Sequence, residues 1–475
     1  MNHQKQFLWQ RPLRIFIPLL AVILLVAGLS FPWFTPASVA STASKLAIQP
    51  DWPYVQDHVL VQLRPGARLL RAQFPGARAL FGDWMALPVP SGKSVIEAMN
   101  DLAQRDDVLR VQPDYIVQLD EPAPVRGPDL PRRSQSYPND PLYSYQWHMP
   151  QVQSDTAWNM SRGANVVVAV VDTGVSRGSD LSCRTFVSPY DAITDTEGEY
   201  AARDQNGHGT HVAGAIGQCT DNNVGVVGLA PDVKIMPVRV LDANGSGSMS
   251  QVGAGIQWAA DHGADVINMS LGMDCGGASY DSCHDAYVDS IISYAVSKDI
   301  VIVAASGNDG SSTPSYPANN PDVMAVAAVD YSRNRASYSN RGSALSVAAP
   351  GGDLNKDDNG DGYGDGVLQE TFEGSLWGYY YFQGTSMASP HVAGAAALLR
   401  AYVPSASRTE VQEALEQTAM DLGSPGKDSD FGYGLIQVAD ALNYLQQQMP
   451  TSTPTPTPTS TTQPTSTPTP TPTST

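Results

Sequence analysis

The sequence predicts an α/β fold built on a mainly parallel central sheet and preceded by a small α+β domain. Three observations predict it. From about residue 145, apolar runs of strand length alternate with helix-like stretches, an order that gives parallel strands joined by right-handed crossovers. Those runs are continuous rather than alternating, which means burial on both faces of the sheet. Before residue 120 the texture is different, with alternating strands around a single helix-like stretch.

The elements follow in chain order. Residues 58–64 read HVLVQLR, a strand with one buried face; a helix-like stretch follows at 94–104 and a second strand, VLRVQPDYIVQL, at 108–119. Residues 41–120 are therefore assigned to the α+β domain. Residues 121–144 are rich in Pro, Arg and Ser and read as an exposed linker. In the α/β domain, residues 145–446, strands are expected at 165–174, 233–241, 264–272, 299–308, 323–330 and 344–351. Helices are expected at 208–218, 250–262, 285–297, 386–402 and 408–420. Residues 447–475 form a disordered tail: from Thr451 onward it holds only Thr, Pro, Ser and one Gln, which cannot pack a core.

Composition limits the function. The chain has 475 residues, 42% of them hydrophobic, enough for a sizeable core. Its 28 Lys and Arg against 47 Asp and Glu give a net charge of −19, which argues against nucleic acid as a partner because phosphate binding needs a basic face. Lys5, Arg11 and Arg14 precede an apolar run at 15–29, followed by Pro32, Pro36 and the small residues Ser38-Val39-Ala40. This reads as a secretory signal, residues 1–40, and predicts an extracellular protein; only an uncleaved signal would tie it to a membrane. The four cysteines then suggest two disulfides. Cys275 and Cys283 close a short loop, so the expected pairs are Cys183–Cys219 and Cys275–Cys283.

Three motifs carry chemistry. Val170-Val171-Asp172-Thr173-Gly174 puts an acid at the end of a buried strand. Asn206-Gly207-His208-Gly209-Thr210-His211 puts a histidine at a helix start, and Gly384-Thr385-Ser386-Met387-Ala388-Ser389-Pro390 does the same for a serine. A serine hydroxyl is a poor nucleophile unless a base takes its proton, and imidazole titrates in the useful range. The imidazole in turn needs a buried carboxylate to fix its tautomer and to stabilise the imidazolium. Asn308, at the end of an expected strand, offers a neutral amide donor to a developing oxyanion. Taken singly, each residue has a plainer use: a turn for Asp172 and Asn308, a helix cap for Ser386. A zinc site at His208 and His211 lacks the H-E-x-x-H pattern. A hydrolase elbow needs a histidine after its serine, and His391 lies only five residues beyond Ser386, on another face of the same helix.

Together, in the order Asp-His-Ser, these motifs resemble those of the subtilisin-like serine proteases, over roughly residues 146–443. The resemblance implies a three-layer subtilisin-like fold and a secreted serine endopeptidase acting on polypeptides through an acyl-enzyme. In that role Asp172 orients His208, His208 is the general base, Ser386 is the nucleophile and Asn308 is the oxyanion donor. It implies that Gly245-Ser246-Gly247 and Ser270-Leu271-Gly272 hold an extended peptide, with Ala305, Ser306 and Gly307 walling the main pocket. It further implies that residues 41–120 are the enzyme's own inhibitory propeptide, which assists folding and is released autocatalytically.

No organic cofactor is expected, but calcium is. Residues 353–366 read DLNKDDNGDGYGDG, in which Asp357, Asn359, Asp361, the Tyr363 carbonyl and Asp365 match positions one, three, five, seven and nine of an EF-hand-type loop. The twelfth position is Leu368, so an outside carboxylate such as Glu370 is expected to complete the set. The loop at 221–226, with Asp180 as a carboxylate, is a second candidate.

Overall fold

The computed structural model describes residues 45, 46, 48, 49, 52–67, 73–128 and 138–448. The expected signal, and all but the first two residues of the expected tail, lie outside the described residues.

Alternation early in the chain yields an antiparallel sheet. β1 (Tyr54–Leu63), β2 (Arg78–Ala79), β3 (Trp84–Pro88) and β4 (Val108–Gln118) lie in the order β4-β1-β3-β2. α1 (Val95–Ala103) starts at a capping box made by Ser94 and Glu97, which satisfies N–H groups that the first turn leaves unpaired. Its Val95, Met99 and Leu102, spaced for one helix face, pack on Val59, Val61, Leu87 and Val111 of the sheet.

After β5 (Val125–Arg126), the rest of the described chain supplies β6 (Val167–Asp172), β7 (Tyr190–Asp191), β8 (Thr196–Glu197), β9 (Lys234–Arg239), β10 (Ser246–Ser248), β11 (Val266–Met269), β12 (Val301–Ala305), β13 (Met324–Val329), β14 (Leu345–Pro350), β15 (Val367–Glu373) and β16 (Leu376–Phe382). Its helices are α2 (His148–Gln151), α3 (Ser154–Ala157), α4 (His208–Gly217), α5 (Met249–Asp261), α6 (Ala286–Ser297), α7 (Thr385–Tyr402), α8 (Arg408–Gln417) and α9 (Val438–Gln448). The central sheet runs β14-β13-β12-β11-β6-β9-β7-β8, parallel throughout except for the short edge strand β8.

Two glycines show the layering. Gly217 of α4 abuts Ile235, and Gly255 of α5 abuts Val238, three residues further along β9. An odd separation in a strand means opposite faces, so α4 and α5 cover the two sides of the sheet. That is the expected three-layer α/β arrangement. Both expected disulfides are formed, with Cα–Cα separations of 6.0 Å for Cys183–Cys219 and 5.7 Å for Cys275–Cys283.

The two domains share a sheet edge. β4 pairs antiparallel with β10, placing Gln118, Val117 and Ile116 opposite Ser246, Gly247 and Ser248. Behind this seam, Asp114 accepts hydrogen bonds from the Ser250 N–H (2.8 Å) and hydroxyl (2.6 Å) at the start of α5. An acid there suits the partial positive charge of a helix N-terminus.

The linker expectation needs correcting. The Glu121 side chain is only 10% exposed, Val125–Arg126 form the exposed strand β5, and Asp140, Leu142 and Tyr143 are buried, so the described parts of 121–144 are not simply exposed. Proline and arginine content there reports extended backbone, and tertiary contacts then bury it. The β15–β16 hairpin and α9 are further elements that the sequence pattern did not mark.

Candidate active site

β6 carries Asp172 at its carboxyl end, where parallel sheets collect functional groups. Asp172 is fully buried, and its Oδ1 accepts from His208 Nδ1 (2.8 Å) and from the Thr173 N–H (2.7 Å). Close approach of α4 makes the histidine contact possible. A Cβ on Gly209 would lie 2.2 Å from the Gly174 carbonyl oxygen, so only glycine lets the first turn of α4 lie on the 172–174 loop.

Asp204 holds that turn in place. Its carboxylate accepts from Gly207 N–H, Thr210 N–H, Thr210 hydroxyl and Thr173 hydroxyl, tying the acid's loop to the histidine's helix. Sequence reasoning missed Asp204. Its signal was an acid four residues before His208, at a helix entrance.

Ser386 opens α7. Ahead of it, Thr385 donates through both its N–H and its hydroxyl to Asn308 Oδ1, each at 2.9 Å. With its oxygen so held, Asn308 must aim its amide nitrogen into the cleft. There Nδ2 donates to the Asp120 carbonyl oxygen (3.3 Å) and to Glu121 Oε1 (3.1 Å). Behind the serine, the Ser270 hydroxyl donates to the Ser386 carbonyl (2.8 Å), and the Ser270 carbonyl accepts from Ser386 Oγ (3.3 Å).

Glu121 joins the parts. Its Oε1 accepts from Asn308 Nδ2 and lies 4.0 Å from His208 Nε2. Glu121 and Ser386 line one cleft, and His208 lies beside that carboxylate. Leu119, Asp120, Leu271, Gly272, Ala305 and Gly307 line the same cleft. The Leu119 N–H donates to the Gly245 carbonyl (2.9 Å), continuing the β4–β10 ladder into the site. Ser306 differs from its neighbours: its buried hydroxyl turns to the Asn340 carbonyl (3.3 Å).

Residues 163–434 match the subtilase family. The chain belongs to the subtilases. It is 40% identical over 309 residues to a thermophilic serine proteinase of Bacillus sp. (strain AK1), covering 65% of this chain and 69% of that protein. It is 39% identical over 299 residues to subtilisin Savinase of Lederbergia lenta, covering 63% of this chain and 98% of that one. Among solved structures, fervidolysin from Fervidobacterium pennivorans superposes with a TM-score of 0.67 at 29% identity; the match covers 84% of this chain and 62% of fervidolysin. This subtilase is thus a subtilisin-like serine protease with the three-layer α/β fold of that family.

Charges in the subtilase cleft are coupled. Burial, the largest influence on His208, lowers its pKa, but Asp172 and then Glu121 outweigh it and lift the imidazole to about 9. Burial pushes Glu121 up to about 7 against the opposing pull of His208, Ser386 and Asn308. His211, by contrast, is buried and lowered to about 3, chiefly by desolvation, and its Nε2 lies 3.0 Å from the Val367 carbonyl. It is a core histidine.

The acidic loop at 353–366 turns its oxygens inward on itself. Asp357 accepts from the Asp361 and Gly362 N–H groups, Asn359 from Asp361, Asp361 from Tyr363, and Asp365 from Asp358. Asp365 Oδ1 is buried without a hydrogen-bond partner. The expected help from Glu370 is absent: its carboxylate accepts from Ser179 and Asp180 N–H groups instead, because β15 points it at that loop. In the second candidate, Asp180 is fully buried and accepts from Asn222 Nδ2 (2.6 Å) and Val226 N–H (2.9 Å). Burial, with Glu370 and Asp140 nearby, raises it to about 8. Among the described residues no group of three or more His, Cys, Asp or Glu side chains forms a metal cage.

Proposed function

We propose that this subtilase is a secreted serine endopeptidase that hydrolyses peptide bonds through Asp172, His208 and Ser386, and that it frees itself from its propeptide by cutting the Asp120–Glu121 bond. The observation that carries the reading is the Asp120 carbonyl oxygen resting on Asn308 Nδ2 in the cleft that Ser386 lines, with His208 Nε2 4.0 Å from the next residue's carboxylate.

In this reading His208 removes the Ser386 proton as Oγ attacks the Asp120 carbonyl carbon. Negative charge moves to the carbonyl oxygen, where the preorganised Asn308 amide stabilises it. The C–N bond breaks, His208 hands its proton to the departing Glu121 nitrogen, and Asp120 is left as an ester on Ser386. Water, deprotonated by the same imidazole, then frees the acid and the serine. Asp172 supports the imidazolium at each stage.

Pairing of residues 116–118 with β10, and of Leu119 with Gly245, supports residues 41–120 as a propeptide that occupies the site as a substrate would. The cationic and apolar start and the two disulfides suit export to an oxidising compartment. A fluorophosphonate is expected to label the secreted enzyme on Ser386, and Edman sequencing is expected to begin at Glu121. Absence of the label would remove the enzyme assignment, and another N-terminus would remove the bond.

Calcium is proposed at both loops as a structural ion, because hard oxygen donors and mutually repelling buried carboxylates are what such a cation relieves. Asp180 and Asn222 would hold one ion; Asp357, Asn359, Asp361, the Tyr363 carbonyl and Asp365 the other. Excess chelator is expected to lower the Tm by several degrees, roughly the effect of losing 1–2 kcal/mol. An unchanged melting curve at saturating chelator rejects both sites.

A further inference from the structure

Beyond the bond presented to Ser386, the chain makes a second strand addition. Counting from that bond, Glu121 is the first residue on the leaving side, and Val125, Arg126 and Gly127 are the fifth, sixth and seventh. Val125 and Arg126 pair antiparallel with Tyr381 and Tyr380 of β16, and the Gly127 N–H donates to the Tyr379 carbonyl at 2.7 Å. The other edge of β16 is taken by β15 along seven residue pairs, from Val367–Phe382 to Glu373–Leu376. β16 therefore offers one edge, and residues 125–127 use it.

We propose that this edge of β16 is a substrate-binding strand of the enzyme. It takes, by antiparallel addition, the fifth to seventh residues on the leaving side of the bond that an extended polypeptide presents to Ser386. This rests on the reading of Ser386 as the nucleophile and deepens it.

Three features fit the role. β16 runs directly into the nucleophile's helix, with only Gln383 and Gly384 between Phe382 and Thr385, so its register to Ser386 is fixed by the fold. The edge is built to read more than backbone: the Arg126 guanidinium lies 6.0 Å from the centroid of the buried Tyr380 ring. At the seventh place the fit is tight, since a Cβ on Gly127 would come within 2.6 Å of Leu368 Cδ1. Past Tyr379 the same strand continues to Trp377 and Leu376, which are 38% and 62% exposed and extend an apolar surface for longer chains. The grip on the acyl side, at β10, is thus matched by one on the leaving side. A protease holding both flanks selects unfolded or extended polypeptide over short peptides.

After processing, the enzyme's own Val125–Gly127 remains tethered near this edge. A substrate whose acyl-side half is already bound on β10 presents its leaving-side half intramolecularly as well, so the two compete on similar terms.

The test uses the processed wild-type enzyme and three internally quenched peptides. One copies residues 116–123, one copies 116–127, and the third copies 116–127 with N-methylglycine at the place of Gly127, which replaces the N–H that Tyr379 accepts with a methyl group facing that carbonyl. Extension to the seventh residue is expected to lower KM about tenfold at little change in kcat, and the methylated peptide to lose most of that gain. Equal KM for the short and long peptides overturns the proposal, as does equal KM for the glycine and N-methylglycine peptides. Failure to cut even the short peptide is a different result, and it removes the peptidase reading itself.

Discussion

The full-length Ser386→Ala protein is expected to remain one uncut chain. Removing the nucleophile of a triad costs about 10⁶ in kcat in subtilisin itself, so self-cleavage falls below detection over days. The lesion is confined to chemistry. Helix α7 is anchored by Thr385 on Asn308 and by the Ser270 hydroxyl on the Ser386 carbonyl, and neither uses Ser386 Oγ. The variant should therefore melt close to wild type, with residues 116–119 still laid along β10 and Gly245. Intact mass of the secreted variant checks this. His208→Ala should behave alike, and the double variant should be no worse than either, because the two groups act as a unit. A Ser386→Ala chain that matures at Glu121 would assign processing to another protease.

How much of this molecule could be read in advance depends on where each residue's meaning is decided. The central strands were legible because Val and Ala runs such as 167–171 and 324–329 need burial on both faces, which is a local fact of composition. The positions of Asp172, His208 and Ser386 at a strand end and two helix starts were legible because each sits in its own short motif. The β15–β16 hairpin was not. Gln369, Glu370 and Thr371 are buried polar residues in the middle of β15, and they break any apolar alternation. Val227, Ser179, Asp180 and Gly207, distant in sequence, pair with the Gln369 amide nitrogen, the Glu370 carboxylate and the Thr371 hydroxyl. The same limit hid Glu121. In sequence it is one acid in a proline-rich stretch; its role exists only once the chain has brought it back to Asn308, Ser386 and His208. Asp204 stands between these cases, its position at a helix entrance being visible and its bond to Thr173 not.

If residues 41–120 are removed by self-cleavage as proposed, Glu121 sets its timing, and the Glu121→Gln precursor is expected to process itself faster at neutral pH than wild type. Glu121 interferes in two ways. Its Oε1 takes Asn308 Nδ2 at 3.1 Å, against 3.3 Å for the Asp120 carbonyl. The donor needed at the Asp120 carbonyl is partly spent on a side chain. Its charge also acts on the base. Around the Glu121 carboxylate stand His208, Asp172, Tyr338, Asn308 and Ser386, and His208 is the one cation-forming group among them. The sign of the pH effect follows. His208 serves as base only when neutral, and in the precursor its pKa is lifted to about 9, with Glu121 among the groups that raise it. Wild-type processing should then climb with pH through the 7–9 range, where Glu121 is ionised and His208 is losing its proton. Glutamine carries no charge, so the His208 pKa falls and the rising limb moves to lower pH. Each unit of that fall gives about tenfold more neutral imidazole at pH 7. Rates of Glu121 N-terminus appearance, followed from pH 5 to 10 in both precursors, decide it. Superimposable profiles would mean that the carboxylate neither blocks the donors nor holds the proton on the base, and that the precursor's latency rests on the propeptide's grip alone.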